Sequence, residues 1–246
     1  MKYRYFNSIF FISFVILICI ASIKNSGMQN AMFVSADNNR FSSVIILDAG
    51  HGGEDGGAVA PDGTNEKDIN LCITNDISCL FEIFGIKYIP VRTEDVSVGD
   101  NSLESMRDRK RSDIRNREKL VNSTDNSVFF SIHQNKYSVA KYNGTQVFYG
   151  AGNPDSEKLA QAVQNSVVEK LQPNNTRQIK PSGDSIYLLY HAKAPAVMIE
   201  CGFLSNPDEL LMLKDSVYQK KFSYSVFYGL QNYLNQKELK SDVGKE

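Results

Sequence analysis

Val44-Ile45-Ile46-Leu47-Asp48-Ala49-Gly50-His51-Gly52-Gly53 is the stretch that decides how the chain is read. A β-branched apolar run without alternation is the pattern of a strand buried on both faces, as in a sheet covered by helices on either side. The run breaks into glycines at its carboxyl end, and His51 sits at that break. Open α/β sheets collect their ligands at the carboxyl ends of strands. A glycine-rich turn lets backbone fold tightly around a small ion, so His51 is a candidate metal ligand. The question for the remaining residues is which of them reach the same point.

The 246 residues, 42% apolar and 22% charged, suit one globular domain with a full-sized core. A formal net charge of −1 argues against nucleic acid as the main partner. The cysteines are Cys19, Cys72, Cys79 and Cys201, with no CxxC among them. Cys72 and Cys79 fall two helical turns apart, too far to bridge, and the expectation is free buried thiols.

Lys2 and Arg4 precede a nearly continuous apolar run, Ile9–Ile20. Its shortness and its position behind positive charge read as a secretory signal or an uncleaved anchor, hence an exported protein. Val34-Ser35-Ala36 offers an A-x-A-like cleavage site, and no lipobox pattern precedes Cys19. Residues 1–40 are thus expected to be a signal peptide or membrane anchor plus linker. Residues 41–236 form the folded domain and 237–246 a frayed polar tail.

Within the domain, Asn65 is a candidate N-cap with Asp68 three residues on. Ile69, Cys72, Ile73, Ile77, Leu80, Phe81 and Phe84 follow at helical spacing, and Gly85 ends the helix. Ile86–Val91 reads as a strand. Thr93–Ser112 reads as a polar loop rich in Arg107, Arg109, Lys110 and Arg111, and a helix follows over Asp113–Val121. Val128–Ile132 reads as a strand that delivers His133, and Gly144–Tyr149 as another. Asp155–Leu171 is an amphipathic helix. Ile186–Tyr190 and Ala196–Ile199 read as strands, the second delivering Glu200. Asn206-Pro207-Asp208-Glu209 opens a last helix carrying Leu210, Leu213, Val217, Phe222, Val226, Leu230 and Leu234. This alternation predicts a single α/β domain with a largely parallel twisted sheet flanked by helices on both faces.

His51 and His133 each follow a strand, and Glu66 opens a helix after a short loop leaving the His51 turn. Two histidines and one carboxylate, with water in the fourth position, make a catalytic zinc set. Glu200 ends an apolar strand near the same edge. Unbound to the metal, it is placed to take a proton from the attacking water and pass it to a leaving amine. His191, on a turn between two expected strands, is a reserve ligand. Each residue alone has a plainer reading: a turn or strand-end histidine, a helix-dipole acid, a partner for an arginine. Their joint arrangement after strands favours the site. On these residues alone the chemistry is metal-assisted amide or ester hydrolysis.

At these positions the sequence resembles the zinc-dependent N-acetylmuramoyl-L-alanine amidases, the amidase-3 family of peptidoglycan hydrolases. Leu47-Asp48-Ala49-Gly50-His51-Gly52-Gly53, with Asp55 and Gly57-Ala58, is similar to the first family motif, and Glu66-Lys67-Asp68 to the second. Ser131-Ile132-His133-Gln134-Asn135 is similar to the third. Pro195-Ala196-Val197-Met198-Ile199-Glu200, continuing into Gly202-Phe203-Leu204-Ser205-Asn206, is similar to the fourth. Arg92 and Arg117 also fall where the family has arginine. The resemblance implies one Zn2+ held by His51, Glu66 and His133, with Glu200 catalytic. Asp48, Asn135, Arg92 and Arg117 would touch substrate or support the ligands. It also implies that the amide between the lactyl group of N-acetylmuramic acid and L-alanine is cut in peptidoglycan. Ala49 stands where proline is common, and the segment between His133 and Gly144 is short for an inhibitory helix. With no wall-binding module recognisable, the layout resembles the germination-specific type that serves the spore cortex. The alternatives are a vegetative amidase, a zinc peptidase of wall peptides, or a non-catalytic wall-binding protein. Three protein ligands imply modest zinc affinity, which an activator protein could raise.

Overall fold

The computed structural model describes residues 41–243. The expected leader lies outside the described residues, and among those no helix is long and apolar enough to cross a membrane. The elements run β1 (Val44–Ala49), α1 (Glu66–Phe84), β2 (Tyr88–Pro90), α2 (Met106–Ser123), β3 (Ser127–Asn135), β4 (Gln146–Gly150), α3 (Pro154–Lys170), β5 (Lys180–Ser182), α4 (Tyr187–His191), β6 (Ala196–Phe203), α5 (Pro207–Lys214) and α6 (Ser216–Val243). They build one six-stranded sheet in the order β2-β1-β3-β6-β4-β5. β2, β1, β3 and β6 are parallel; β4 runs antiparallel to β6, and β5 follows β4. The expected α/β fold with a largely parallel sheet is therefore present.

Strand alternation divides the core in two. Ile45, Leu47, Val128, Phe130, Ile132, Val197, Ile199 and Cys201 face a layer formed by α1, α3, α5 and α6. Ile46, Phe129 and Ala196 face the smaller layer of α2 and α4. Asp48, Ser131 and Met198 continue that second face in register across β1, β3 and β6, and His133 and Glu200 follow one step further toward the carboxyl edge. The site residues of three strands thus share one face, set by the same register that buries the core.

Several expected boundaries shift. β2 is shorter than Ile86–Val91, and Asn65 precedes α1 without a side-chain cap. On α1 the buried stripe is Ile69, Ile73, Ile77 and Phe81; Cys72, Cys79 and Phe84 are exposed, so only Cys201 among the described thiols is buried as expected. The basic run expected as loop is the first half of α2, which begins at Met106 because Ser105 accepts from the Asp108 N–H. Ile186–Tyr190 is not a strand but mostly the short helix α4. Short apolar runs do not separate the two states. β5, with Pro181 on the sheet edge, carries no strand pattern. The single last helix is two: Asp215 is extended, ends α5 and accepts from the Tyr218 N–H, starting α6. Nor is residue 237 the start of a frayed tail. α6 continues to Val243, and Lys237 donates to Ser43 Oγ (3.0 Å) and Asn126 Oδ1 (3.3 Å).

Candidate active site

β1 ends in a turn that adopts left-handed backbone at His51, φ 63°. A non-glycine residue holds that conformation only where its surroundings fix it. Two buried arginines do so by donating to consecutive carbonyls. Arg92 Nε donates to Ala49 O (2.8 Å) and its Nη2 to Gly50 O (3.1 Å). Arg117 Nη2 donates to His51 O (2.9 Å), and Asn70 Nδ2 adds a bond to Gly50 O (3.1 Å). Arg117 is itself paired with Asp48, which is fully buried and accepts from Ser131 Oγ at 2.7 Å, and with Asp113. Asp48, Arg92 and Arg117 therefore brace the turn.

The turn projects His51 toward Glu66, whose Oε1 is 3.3 Å from His51 Nε2 and 2.9 Å from His133 Nδ1. Asp55 Oδ2 lies 2.8 Å from His51 Nδ1 and fixes the ring, while Lys110 Nζ holds the other Asp55 oxygen at 2.7 Å. Glu66 is locked at the first position of α1: its Oε2 accepts from Ala58 N–H and its Oε1 from Gln134 N–H. Two glycines give these side chains room. A Cβ on Gly50 would lie 2.2 Å from the His133 ring, and one on Gly57, at φ 69°, 2.6 Å from Glu66 Oε2.

One donor atom from each of His51, Glu66 and His133 lies within 4.8 Å of the others. Tetrahedral ligands about 2.0–2.2 Å from an ion stand roughly 3.3–3.5 Å apart, so this cluster fits a zinc ion with one position left open. Its electrostatics fit as well. Burial pulls the His51 imidazole down, yet Asp55 and Glu66 overcome that and push it up to about 10. Burial favours a neutral Glu66, yet His133 and His51 hold its carboxyl far below the carboxylate range. The carboxylates draw positive charge into the cluster, which a divalent cation would supply.

Glu200 stands directly across from His133 in the β3–β6 ladder and is not one of the three clustered groups. Burial, reinforced by Glu66 and opposed by His133, His51 and Arg177, pushes its carboxyl up to about 7. Its Oε2 is buried with no hydrogen-bond partner. His51, His133, Glu200, Asp48 and Arg117 line a cavity of about 300 Å³ whose far wall is Ile114, Tyr187, Leu188 and Met198.

The remaining expected site residues lie elsewhere. Asn135 is past a bulge after His133 and is not part of the cavity wall; its carbonyl accepts from Leu204 N–H. His191 ends α4, exposed against Tyr187 and Tyr190, and is outside the metal cluster, so it is no reserve ligand. Sequence reasoning assigns no role to Asp55, Asn70, Lys110 or Tyr187. For Asp55 a signal exists: a carboxylate four residues from a candidate histidine ligand is the expected partner for its second nitrogen.

The family model described as N-acetylmuramoyl-L-alanine amidase matches residues 45–232. A germination-specific N-acetylmuramoyl-L-alanine amidase from Bacillus subtilis is 34% identical over 194 residues, covering 79% of this chain and 81% of that protein. Among solved structures, the CwlD amidase from Clostridioides difficile, in complex with the GerS lipoprotein, is 38% identical with a TM-score of 0.75, covering 78% of this chain and 98% of that one. An N-acetylmuramoyl-L-alanine amidase from Clostridium difficile 630 is 28% identical with a TM-score of 0.67, covering 79% and 97%. Matched through nearly all of its folded part, and by a relative of similar extent, this chain belongs to the N-acetylmuramoyl-L-alanine amidase family.

Proposed function

We propose that this protein hydrolyses the amide joining the lactyl group of N-acetylmuramic acid to L-alanine in peptidoglycan. The observation that carries this reading is the approach of His51, Glu66 and His133 within 4.8 Å, with Glu200 opposite His133 and outside the donor set. His51, Glu66 and His133 would hold one zinc ion. When bound, that ion polarises a carbonyl and acidifies water. Glu200 accepts the proton of the attacking water and returns it to the leaving alanine nitrogen, which needs it to depart as an amine. Asp55 keeps the His51 ring oriented, and Arg92, Arg117 and Asp48 keep the turn from relaxing. Ile114, Tyr187 and Met198 give the cavity an apolar wall that would lie beside the substrate. Mass spectrometry of digested peptidoglycan tests the reading. Free stem peptides beginning with L-alanine support it; cuts between amino acids support a wall peptidase instead.

The cellular setting belongs to the same proposal. The germination-specific relative supports a role in the spore cortex, where removing the peptide frees the lactyl carboxyl for muramic-δ-lactam formation. Lys2, Arg4 and the apolar Ile9–Ile20 run support export, with the enzyme acting outside the cytoplasm either anchored or secreted. A structural neighbour was solved with a lipoprotein partner, which supports an activator here too, acting on zinc occupancy. Zinc titration with and without a candidate lipoprotein tests that; equal affinity in both removes the activator.

A further inference from the structure

On the side of Glu200 away from His133, the sheet continues as a half-open shelf. Gln146 stands opposite Glu200 and Phe148 opposite Met198, so all four side chains share the face of the active site. Arg177, just ahead of β5, reaches over this shelf. Its Nη2 donates to Gln146 Oε1 at 2.6 Å and its guanidinium lies 4.9 Å from the Phe203 ring centre. Lys180 lies beside it, 6.0 Å over Phe148. Among the described residues neither cation has a carboxylate within 4.0 Å, whereas Arg109, Lys110 and Arg117 at the opposite flank all do. Arg177 Nε is buried and makes no hydrogen bond. A buried guanidinium donor left without an acceptor is costly, and such a group in a native fold calls for an explanation.

The shelf has a direction. Glu200 protonates the departing nitrogen, so the peptide leaves on the Glu200 side of the metal cluster. Gln146 is one strand spacing beyond, about 4.8 Å, and the guanidinium one hydrogen bond further. An extended peptide advances about 3.3–3.6 Å per residue, so the residue after alanine arrives here. In peptidoglycan stems that residue is a γ-linked glutamate, which carries a free α-carboxylate.

Resting on the amidase reading, we propose that Arg177, held by Gln146 and Phe203 with Lys180 alongside, forms an anion subsite that takes the first free carboxylate of the stem peptide. The subsite makes the enzyme prefer stems whose second residue is an acid over those where it is amidated.

The test uses two peptides, L-Ala-γ-D-Glu and L-Ala-D-isoglutamine, and their N-acetylmuramoyl conjugates. Calorimetric binding of the free peptides to the zinc-loaded protein requires no bond cleavage. The acid is expected to bind about tenfold more tightly than the amide, a difference of about 1.4 kcal/mol. Arg177→Met should bring that ratio to within about twofold, with Arg177→Lys intermediate because it keeps the charge but loses the fork. With the conjugates, the same variants should change KM for the acid far more than kcat. Equal binding of acid and amide by the unaltered protein overturns the subsite, and so does a preference that survives in Arg177→Met. Acid-selective binding without hydrolysis of either conjugate leaves the subsite standing and removes the amidase reading instead.

Discussion

His133 and Glu200 stand directly opposite one another in the β3–β6 ladder. The placement of their backbones side by side, on one face of the sheet, is therefore set by strand register. A one-residue slip of β6 would turn Glu200 into the other core layer, and the buried Val197, Ile199 and Cys201 forbid it. The base is thus fixed beside the cluster while remaining free of it. Glu200→Gln is expected to bind zinc as the unaltered protein does and to lose about 10²–10⁴ in kcat. His51→Ala should lose both zinc and activity. Metal analysis beside hydrolysis of muramoyl peptides separates the two, and full activity in Glu200→Gln would remove the assigned base.

Gly50 has the closest approach in the site, 2.2 Å from its would-be Cβ to the His133 ring. Gly50→Ala must push that ring away or distort the braced turn, and either moves a donor atom out of reach of a shared ion. Gly152→Ala is the control, because its Cβ would meet nothing within 4 Å. We expect purified Gly50→Ala to carry far less zinc than the unaltered protein while keeping a native circular dichroism spectrum, and Gly152→Ala to carry as much as the unaltered protein. An unchanged zinc content in Gly50→Ala would show that the close packing is not needed for the metal.

Much of the fold and most of the site are legible in the amino-acid sequence, and for a definite reason. Val44–Leu47 and Ala196–Ile199 lie almost wholly buried in central strands, so their apolar runs are unbroken and the polar residues that follow each stand out. That makes His51 and Glu200 visible, and His133 likewise at the end of Val128–Ile132. Glu66 is visible as the acid that opens a helix after the short loop leaving the His51 turn, and the motif resemblance adds Arg92 and Arg117. What stays hidden has local causes. α2 carries Arg107, Arg109, Lys110 and Arg111, so its first turns show no apolar stripe, and only Ser105 ahead of Asp108 marks the start. Asp215 interrupts a helical pattern whose apolar spacing runs on past it. Arg177 lies between elements, where no periodicity points to it, and its relation to Glu200 exists only through the antiparallel pairing of β4.

Arg117 and Asp48 are both almost wholly inaccessible, and Arg117 also carries Asp113 and the His51 carbonyl. Removing one partner of a buried pair leaves an uncompensated charge, which typically costs about 3–5 kcal/mol. Arg117→Met is therefore expected to lower the urea midpoint strongly, because among the described residues Ser131 is then the one hydrogen-bond donor left to the Asp48 carboxylate. The double variant Asp48→Asn with Arg117→Met should recover part of that loss, since the buried carboxylate of Asp48 is gone. It should stay defective in catalysis, because the His51 carbonyl still lacks its donor. Additive losses in the double variant would show that the two residues do not act as a pair.

The last expectation concerns alkaline pH and lies outside the site. Tyr218 opens α6 and its hydroxyl accepts from Gln172 Nε2 at 2.9 Å. Burial, partly offset by that hydrogen bond, pushes the phenol up to about 12 from an ordinary value of 10.0. In the unfolded chain the phenol ionises first, so above pH 10 the unfolded state is favoured by proton release that the folded state resists. The stabilisation is fully present below about pH 10 and is lost as pH rises toward the folded value. Unfolding midpoints in urea should therefore fall between pH 10 and 12, and Tyr218→Phe should flatten part of that slope while costing some stability at pH 8 through the lost Gln172 contact. A slope identical in both proteins would mean that the phenol titrates alike in the folded and unfolded states.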